Sequence, residues 1–111
     1  MLSLASEVDV LARFGRALAD PIRCRLLLEL RADSAYPSDL ADAVGVSPTR
    51  LSSHLACLRD CGLVVGVPVG RRIRYELADR RLGRALDDLQ SAEAAVAADR
   101  TCPDADEKSC C

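Results

Sequence analysis

Two cysteines, Cys57 and Cys61, are separated by one helical turn in a segment that is predicted to be a helix. Residues at positions i and i+4 of a helix have Cβ atoms about 5–6 Å apart, so two thiolates there could share one metal ion. Sulfur ligands prefer soft ions, which here would be Cd(II), Pb(II), Zn(II), Cu(I) or As(III). On spacing alone the pair could equally be two ordinary free cysteines, because Cys-x3-Cys is a weak motif.

The same segment, residues 47–62, carries polar side chains suited to DNA contact. Arg50, Ser53 and His54 lie on the stripe that continues through the two cysteines, spaced by threes and fours. Hydroxyls and an arginine near the start of a helix are groups that contact base edges and phosphates, although His54 could instead simply cover the helix surface. The predicted DNA-binding residues of this helix are Ser47, Thr49, Arg50, Ser53 and His54.

The two ends of this helix can also be predicted. Ser47 is a favourable N-cap, and Pro48 suits the first helical position. Gly62 can take the left-handed conformation that ends a helix. One face is apolar at positions i, i+4 and i+7 and is expected to face the core, namely Leu51, Leu55 and Leu58.

Three further helices are predicted upstream: residues 4–18, a helix that begins at Asp20-Pro21 and includes the apolar run 22–30, and residues 38–44. Gly45 turns the last of these tightly into the 47–62 helix, which is the pattern of a helix-turn-helix. Within the apolar run, Cys24 is predicted to be a core residue. Its neighbours Arg23 and Arg25 are predicted to pair with nearby acidic residues.

After Gly62 the hydrophobic period changes from 3.6 to 2, which indicates strands. Valines alternate over residues 65–69, and apolar residues alternate with charged ones over residues 72–77, with Gly70 as the turn between them. This predicts a two-stranded hairpin, or wing, whose arginines contact DNA: Arg71, Arg72 and Arg74. The alternative is a solvated strand face. The predicted fold class is therefore mainly α with a small β-hairpin, a winged helix-turn-helix.

Asp79 is predicted to cap a final helix with one apolar stripe, formed by Leu82, Leu86, Leu89 and Val96. The first and last helices would bury little within so small a domain, so their apolar faces are predicted to form a homodimer interface. The chain is accordingly divided into residues 1–98, a winged helix-turn-helix DNA-binding and dimerisation domain, and residues 99–111. The latter segment, here called the tail, is polar, acidic and rich in cysteine, and it is predicted to be flexible.

Composition limits the class of protein. The chain has 111 residues, of which 50% are hydrophobic, as expected for one globular domain. It has no apolar run near about 20 residues and no signal peptide, which predicts a cytoplasmic protein without membrane contact. In that compartment its six cysteines would be free thiols or metal ligands. The net charge of −2 argues weakly against nucleic acid, but residues 50–74 contain five arginines and a single acidic residue.

Over residues 8–98 the chain resembles the ArsR/SmtB family of metal-sensing winged-helix repressors. The resemblance is carried by residues 18–26 (Leu-Ala-Asp-Pro-Ile-Arg-Cys-Arg-Leu), by the helix-turn-helix from Asp39, and by residues 70–75 (Gly-Arg-Arg-Ile-Arg-Tyr). Residues 55–64 and Cys102 are most similar to the cadmium- and lead-sensing branch of that family.

This resemblance implies a homodimer that binds double-stranded operator DNA as the apoprotein and is released by Cd(II) or Pb(II), with Zn(II) or As(III) as further candidates. In that branch two thiolates of the reading helix and one tail thiolate from the other subunit bind the metal, and they correspond to Cys57, Cys61 and Cys102. The Cys-x-Cys that many family members carry in the third helix is absent here. A zinc site on the last helix is not expected either, because His54 is the only histidine. Cys110 and Cys111 have no counterpart in the resemblance.

Three other functions would predict different properties of the same chain. A thiol redox sensor of the same fold would form a disulfide between a helix cysteine and a tail cysteine, and its reduced form would bind no stoichiometric metal. An enzyme is not expected, because the chain lacks a Cys-x-x-Cys after a strand, a Gly-rich phosphate loop and a base placed for a nucleophile. A winged helix used only for protein contacts would bind no operator.

Overall fold

Five helices and one hairpin make up the part of the chain that the computed structural model describes, residues 3–97. Side chains of that range are described up to residue 94. In chain order the elements are α1 (Leu4–Leu18), α2 (Pro21–Ala32), α3 (Pro37–Val44), α4 (Pro48–Asp60), β1 (Val64–Val69), β2 (Arg72–Leu77) and α5 (Arg80–Ala97).

Local sequence signals set where the helices begin. Asp20 caps α2, its Oδ1 accepting hydrogen bonds from the backbone N–H groups of Ile22 (2.7 Å) and Arg23 (3.1 Å). The Ser47 hydroxyl caps α4 by accepting from the Arg50 N–H at 3.2 Å. Each cap is followed by a proline, whose fixed φ suits the first helical position. Both predicted starts are confirmed, and α3 begins one residue earlier than predicted, at Pro37.

Helix α2 lies at the centre of the core and packs against α1, α3, α4, α5 and β2. The leucine face predicted for α4 is buried, and it meets the buried side chains of α2 and α3. Burying a leucine fully is worth about 1.5–3 kcal/mol, so this face fixes which side of α4 points outward. The buried side chains of the three helices are Leu26, Leu27, Leu30, Leu40, Ala41, Val44, Leu51, Leu55 and Leu58.

Two left-handed glycines determine where α4 begins and ends. Gly45 (φ 76°) ends α3 and leaves only two residues before α4, which is the predicted helix-turn-helix. Gly62 (φ 79°) ends α4. There the Gly62 N–H donates to the Arg59 carbonyl (2.9 Å) and the Leu63 N–H to the Leu58 carbonyl (3.0 Å), which is a Schellman motif. A residue with a Cβ would cost about 1–2 kcal/mol in either position.

Strands β1 and β2 form the predicted wing as an antiparallel hairpin in which Val69 pairs with Arg72 across the turn. Val64 and Tyr75 are buried on one face of the hairpin. The alternating valines lie on the opposite face, where Val65 and Val69 are 40% and 39% exposed. An isolated bridge between Ala35 and Tyr75 attaches the α2–α3 connection to the outer edge of β2.

Helices α1 and α5 enclose an apolar groove of about 700 Å³, lined mainly by leucines. On the same two helices, four apolar side chains are more than half exposed, namely Leu4 (75%), Val8 (55%), Leu11 (69%) and Leu89 (57%). The side chain of Val96, also predicted for this stripe, lies outside the described side chains. Helix α5 is held to α2 by Arg31, which forms an ion pair with Asp87 and donates to Gln90 Oε1 at 3.3 Å.

Within residues 3–97 no helix is long and apolar enough to cross a membrane. The predicted boundary at residue 98 and the tail lie outside the described residues.

Candidate DNA and metal interface on helix α4

The first half of α4 presents an exposed polar surface. Ser47, Thr49, Arg50 and Ser53 are all exposed, while the leucines behind them are buried. The N-terminus of a helix carries partial positive charge and free N–H groups, so an anion such as a DNA phosphate is favoured there. This half of α4, residues 47–54, is here called the reading half, and its polar side is exposed apart from the half-buried His54.

His54 is half-buried and so is less exposed than the other predicted DNA-binding residues of α4. The pKa of Asp20, the N-cap of α2, is lowered mainly by the backbone hydrogen bonds that it accepts from Arg23 and Ile22, and further by the charge of His54. His54 therefore lies within electrostatic range of the start of α2.

The wing adds three arginines in two different settings. Arg71 and Arg72 are exposed at the turn, and the guanidinium carbon of Arg72 lies 3.7 Å from the centre of the Tyr36 ring. Arg74 is half-buried, and its Nε is buried without a hydrogen-bond partner among residues 3–97. The arginines at the turn are thus free to meet a phosphate with their N–H groups, whereas Arg74 is partly enclosed by the hairpin.

The second half of α4 carries the two cysteines, here called the thiol half. Cys57 and Cys61 are free thiols, both half-buried, and the Cys61 N–H donates to the Cys57 carbonyl at 3.0 Å. Burial raises the pKa of the Cys61 thiol, and the neighbouring Cys57 raises it further. The positive charges of Arg13 and Arg16 on α1 act in the opposite direction on that pKa. The two thiols are therefore less exposed than the polar side chains of the reading half, and Cys61 lies within electrostatic range of the arginines of α1.

Two neighbouring thiols fit a soft metal ion, but they do not complete a site. In the part of the chain that the structure describes, no group of three or more His, Cys, Asp or Glu side chains is arranged to hold a metal. Because soft ions in proteins take three or four strong ligands, the pair needs at least one donor from elsewhere. Cys102, the third predicted ligand, lies outside the described residues, as do Cys110 and Cys111.

Cys24 is set apart from this pair by its surroundings. Its thiol donates to the Leu18 carbonyl at 3.0 Å, and burial and then the charge of Asp20 raise its pKa. A protonated, hydrogen-bonded thiol beside the core agrees with the structural role predicted for it.

Two features of the structure were not predicted. Among residues 3–97, Arg23 and Arg25 form no ion pair with an acidic residue, and that prediction was wrong. Arg23 donates to the Ala17 and Arg16 carbonyls at 2.9 and 2.8 Å, and Arg25 donates to the Ala43 carbonyl at 3.0 Å. Both arginines thus bind carbonyls in the last turn of a neighbouring helix, α1 for Arg23 and α3 for Arg25, which a linear pattern does not reveal. The second feature is Tyr36, whose contact with Arg72 depends on the bridge between Ala35 and Tyr75.

Comparisons with known proteins agree with this architecture. Residues 20–65, which include the helix-turn-helix, match the family model described as bacterial regulatory protein, arsR family. The chain is 48% identical over 102 residues to the HTH-type transcriptional regulator CmtR of Mycobacterium tuberculosis, an alignment that covers 92% of this chain and 86% of that protein.

Solved structures show the same fold. The NMR structure of the cadmium metal-sensor CmtR from M. tuberculosis matches with a TM-score of 0.62 and 54% identity, covering 70% of this chain and 81% of that one. A homodimeric winged helix-turn-helix DNA-binding domain from Mycobacterium bovis matches with a TM-score of 0.79 and 28% identity, covering 86% and 89%. These matches confirm the predicted winged helix-turn-helix, and they agree with the prediction that the chain is not an enzyme. The chain belongs to the ArsR family of bacterial transcriptional regulators.

Proposed function

We propose that this protein is a transcriptional repressor that binds operator DNA as a metal-free homodimer and releases it when a soft metal ion binds to cysteine thiolates. The observation that carries the proposal is the division of α4. Its first half is an exposed polar surface, and its second half holds two thiols one turn apart. A ligand bound to one half of so short a helix is well placed to affect what the other half binds.

The proposed DNA surface combines α4 with the wing. A helix of this kind enters the major groove with its N-terminal residues toward the base edges, while a wing contacts the flanking backbone. The residues assigned to this surface are Ser47, Thr49, Arg50, Ser53, His54, Arg71, Arg72 and Arg74. Their exposure supports the assignment, except at His54 and Arg74, which are half-buried.

A homodimer is supported by the exposed apolar side chains of α1 and α5 and by the homodimeric relative from M. bovis. Two copies related by a two-fold axis would present two copies of α4 to two half-sites. They would also double a cationic surface that is small in one chain of net charge −2.

The proposed metal ligands are Cys57, Cys61 and Cys102. A thiolate site selects soft ions, and the relative from M. tuberculosis is a cadmium sensor, so Cd(II) is the preferred effector, followed by Pb(II), with Zn(II) or As(III) as weaker candidates. When bound, such an ion would draw together thiolates that are distant in sequence. Cys57 and Cys61 must lose their protons to act as ligands. Since burial raises the pKa of Cys61, we expect metal affinity to increase with pH through the neutral range.

The position of Cys61 explains how release could occur. It is the C-cap of α4, directly before the left-handed Gly62 and β1, so its backbone joins the reading helix to the wing. Drawing its side chain toward a tail thiolate would alter the angle between these two DNA-contacting elements. Because the coupling between two ligands is reciprocal, DNA should weaken metal binding by the same factor.

The redox alternative uses the same thiol half. Oxidation and metal binding both require the thiolate, so the raised pKa of Cys61 does not distinguish the two functions. Stoichiometric metal binding by the reduced protein would decide against redox sensing.

The experiment is an anaerobic titration of the reduced full-length protein with Cd(II), followed by ultraviolet sulfur-to-metal charge transfer. We expect saturation at about one ion per subunit, with the signal weakened in Cys57→Ser, Cys61→Ser and Cys102→Ser. Cys24→Ser is the matched control and should titrate like the wild type, because its thiol is engaged by the Leu18 carbonyl. A signal that persists in all three variants would refute the ligand assignment.

A further inference from the structure

Tyr36 forms the one contact between an arginine side chain and an aromatic ring found in residues 3–97. The guanidinium carbon of Arg72 lies 3.7 Å from the centre of the Tyr36 ring, well within the range of a cation–π interaction. Tyr36 is the N-cap residue of α3 but makes no capping hydrogen bond with its side chain. Arg72 is the first residue of β2, at the end of the wing. The contact therefore joins the helix-turn-helix to the wing.

The backbone places the ring beneath the arginine. Ala35 and Tyr75 exchange two hydrogen bonds, of 2.9 Å from the Ala35 N–H and 2.8 Å from the Tyr75 N–H. Successive residues of an extended segment point to opposite faces. Tyr36 consequently shares the outer face of the hairpin with Arg72 and Arg74, away from the buried face that holds Tyr75.

Stacking of this kind leaves the hydrogen-bonding capacity of the arginine intact. The guanidinium carbon lies over the ring, and the N–H groups of a guanidinium lie in its own plane and point outward from its edge. Arg72 remains exposed while Tyr36 is half-buried. The ring is therefore held by the surrounding protein, and the arginine side chain faces solvent. An arginine that is already held loses less side-chain freedom when it binds a phosphate.

We propose that Tyr36 is a positioning residue for DNA binding, whose ring holds Arg72 against the helix-turn-helix with its N–H edge free for a backbone phosphate. This role rests on the proposed function, because it requires that Arg72 contacts DNA. It assigns to Tyr36 no direct contact with DNA or metal.

The test compares four variants with the wild type: Tyr36→Phe, Tyr36→Leu, Arg72→Gln and the double variant Tyr36→Leu/Arg72→Gln. The probe is a fluorescently labelled duplex selected from a random-sequence pool by the reduced, metal-free wild-type protein. Dissociation constants are measured by anisotropy at several salt concentrations. The slope of affinity against salt reports how many phosphates are neutralised, which a change in folding stability alone would not alter.

Tyr36→Phe keeps the ring and should bind like the wild type. Tyr36→Leu should bind about two- to fivefold more weakly per wing, which is the value of an exposed cation–π contact, and with a smaller salt slope. Arg72→Gln should lose at least as much. The double variant should bind DNA no more weakly than Arg72→Gln, because in that variant the Tyr36 ring has no guanidinium to contact.

Three results would overturn the assignment. The first is wild-type affinity and salt slope in Tyr36→Leu. The second is an equal loss of DNA affinity when Tyr36→Leu is introduced into the wild type and into Arg72→Gln. The third is a loss of affinity in Tyr36→Phe relative to the wild type, which would implicate the hydroxyl group. This comparison does not need the Tyr36→Leu protein, so it still decides the matter if Tyr36→Leu does not fold. If the wild-type protein selects no duplex, the proposed function fails together with the role of Tyr36, whereas selection without an effect at Tyr36 overturns only the latter.

Discussion

The two halves of α4 differ in how many of the groups that their proposed roles need are found in one chain. The reading half is capped by Ser47, exposed on its polar side and fixed by buried leucines on the other. The two cysteines of the thiol half are half-buried, and they are too few to complete a metal site. An exposed polar surface beside an incomplete set of thiol ligands suits the proposed switch, because completing the ligand set would alter the helix that carries the polar surface.

This difference also separates the kinds of interaction that the two halves use. The reading half begins at a local N-cap, and its buried leucines pack against α2 and α3. At the thiol half, burial and then Cys57 raise the pKa of Cys61, and the charges of Arg13 and Arg16 on α1 lower it. A further metal ligand for this pair would have to come from elsewhere in the chain or from a second copy. Variants in the reading half should therefore leave metal binding measurable, and variants in the thiol half should leave DNA binding measurable.

The largest effect is expected for Arg50→Ala. An arginine that contacts a base or phosphate at the start of a recognition helix contributes about 1–3 kcal/mol, so operator affinity should fall about five- to 150-fold per half-site. Arg59→Ala is the matched control, since Arg59 is also an exposed arginine of α4 but lies in its last turn. The affinity of each variant for a selected duplex gives the comparison. Arg50→Ala should titrate with Cd(II) like the wild type. An equal loss in the two variants would mean that only net charge matters.

Ser47→Ala should have a smaller effect, confined to the reading half. It removes the hydroxyl that accepts from the Arg50 N–H, so the free energy of unfolding should decrease by about 1 kcal/mol. Urea denaturation checks this against Ser52→Ala, an exposed serine inside the same helix, where the change should be near zero or slightly stabilising. Similar losses in both variants would argue against the cap.

The smallest effect is expected at the start of α5, outside both halves. The Asp79 carboxylate accepts from the Arg81 guanidinium and backbone N–H, each at 2.8 Å, and these bonds lower its pKa to about 2 from 3.8. A pKa lowered by folding adds stability above the unfolded value, and this contribution is lost as the pH falls from about 4 toward 2.

In Asp79→Asn this part of the acid dependence should disappear, and in Arg81→Gln it should shrink, because the guanidinium bond is its largest cause. Urea midpoints measured at about pH 5 and about pH 3 give the comparison. An unchanged acid dependence in both variants would show that the ion pair does not persist in solution.

Much of α4 and its surroundings could be predicted because the signals are local. Ser47, Gly45 and Gly62 determine the ends of helices through their own backbone and side-chain preferences, and the leucine period identifies the buried face. The contact of Tyr36 with Arg72 could not be predicted, since it follows from a bridge between residues 40 positions apart, Ala35 and Tyr75. Arg23 and Arg25 were misassigned because a sequence pattern shows nearby acidic residues but not the helix-end carbonyls that packing brings within reach.

The most direct test of the account is the affinity of reduced protein for its selected duplex, measured anaerobically with and without saturating Cd(II). The wild type is compared with the double variant Cys57→Ser/Cys61→Ser. We expect Cd(II) to weaken wild-type DNA binding about five- to 150-fold, the usual range of allosteric coupling, and to leave the double variant unchanged. The same release in the double variant, or none in the wild type, would contradict the claim that the two halves of α4 oppose each other.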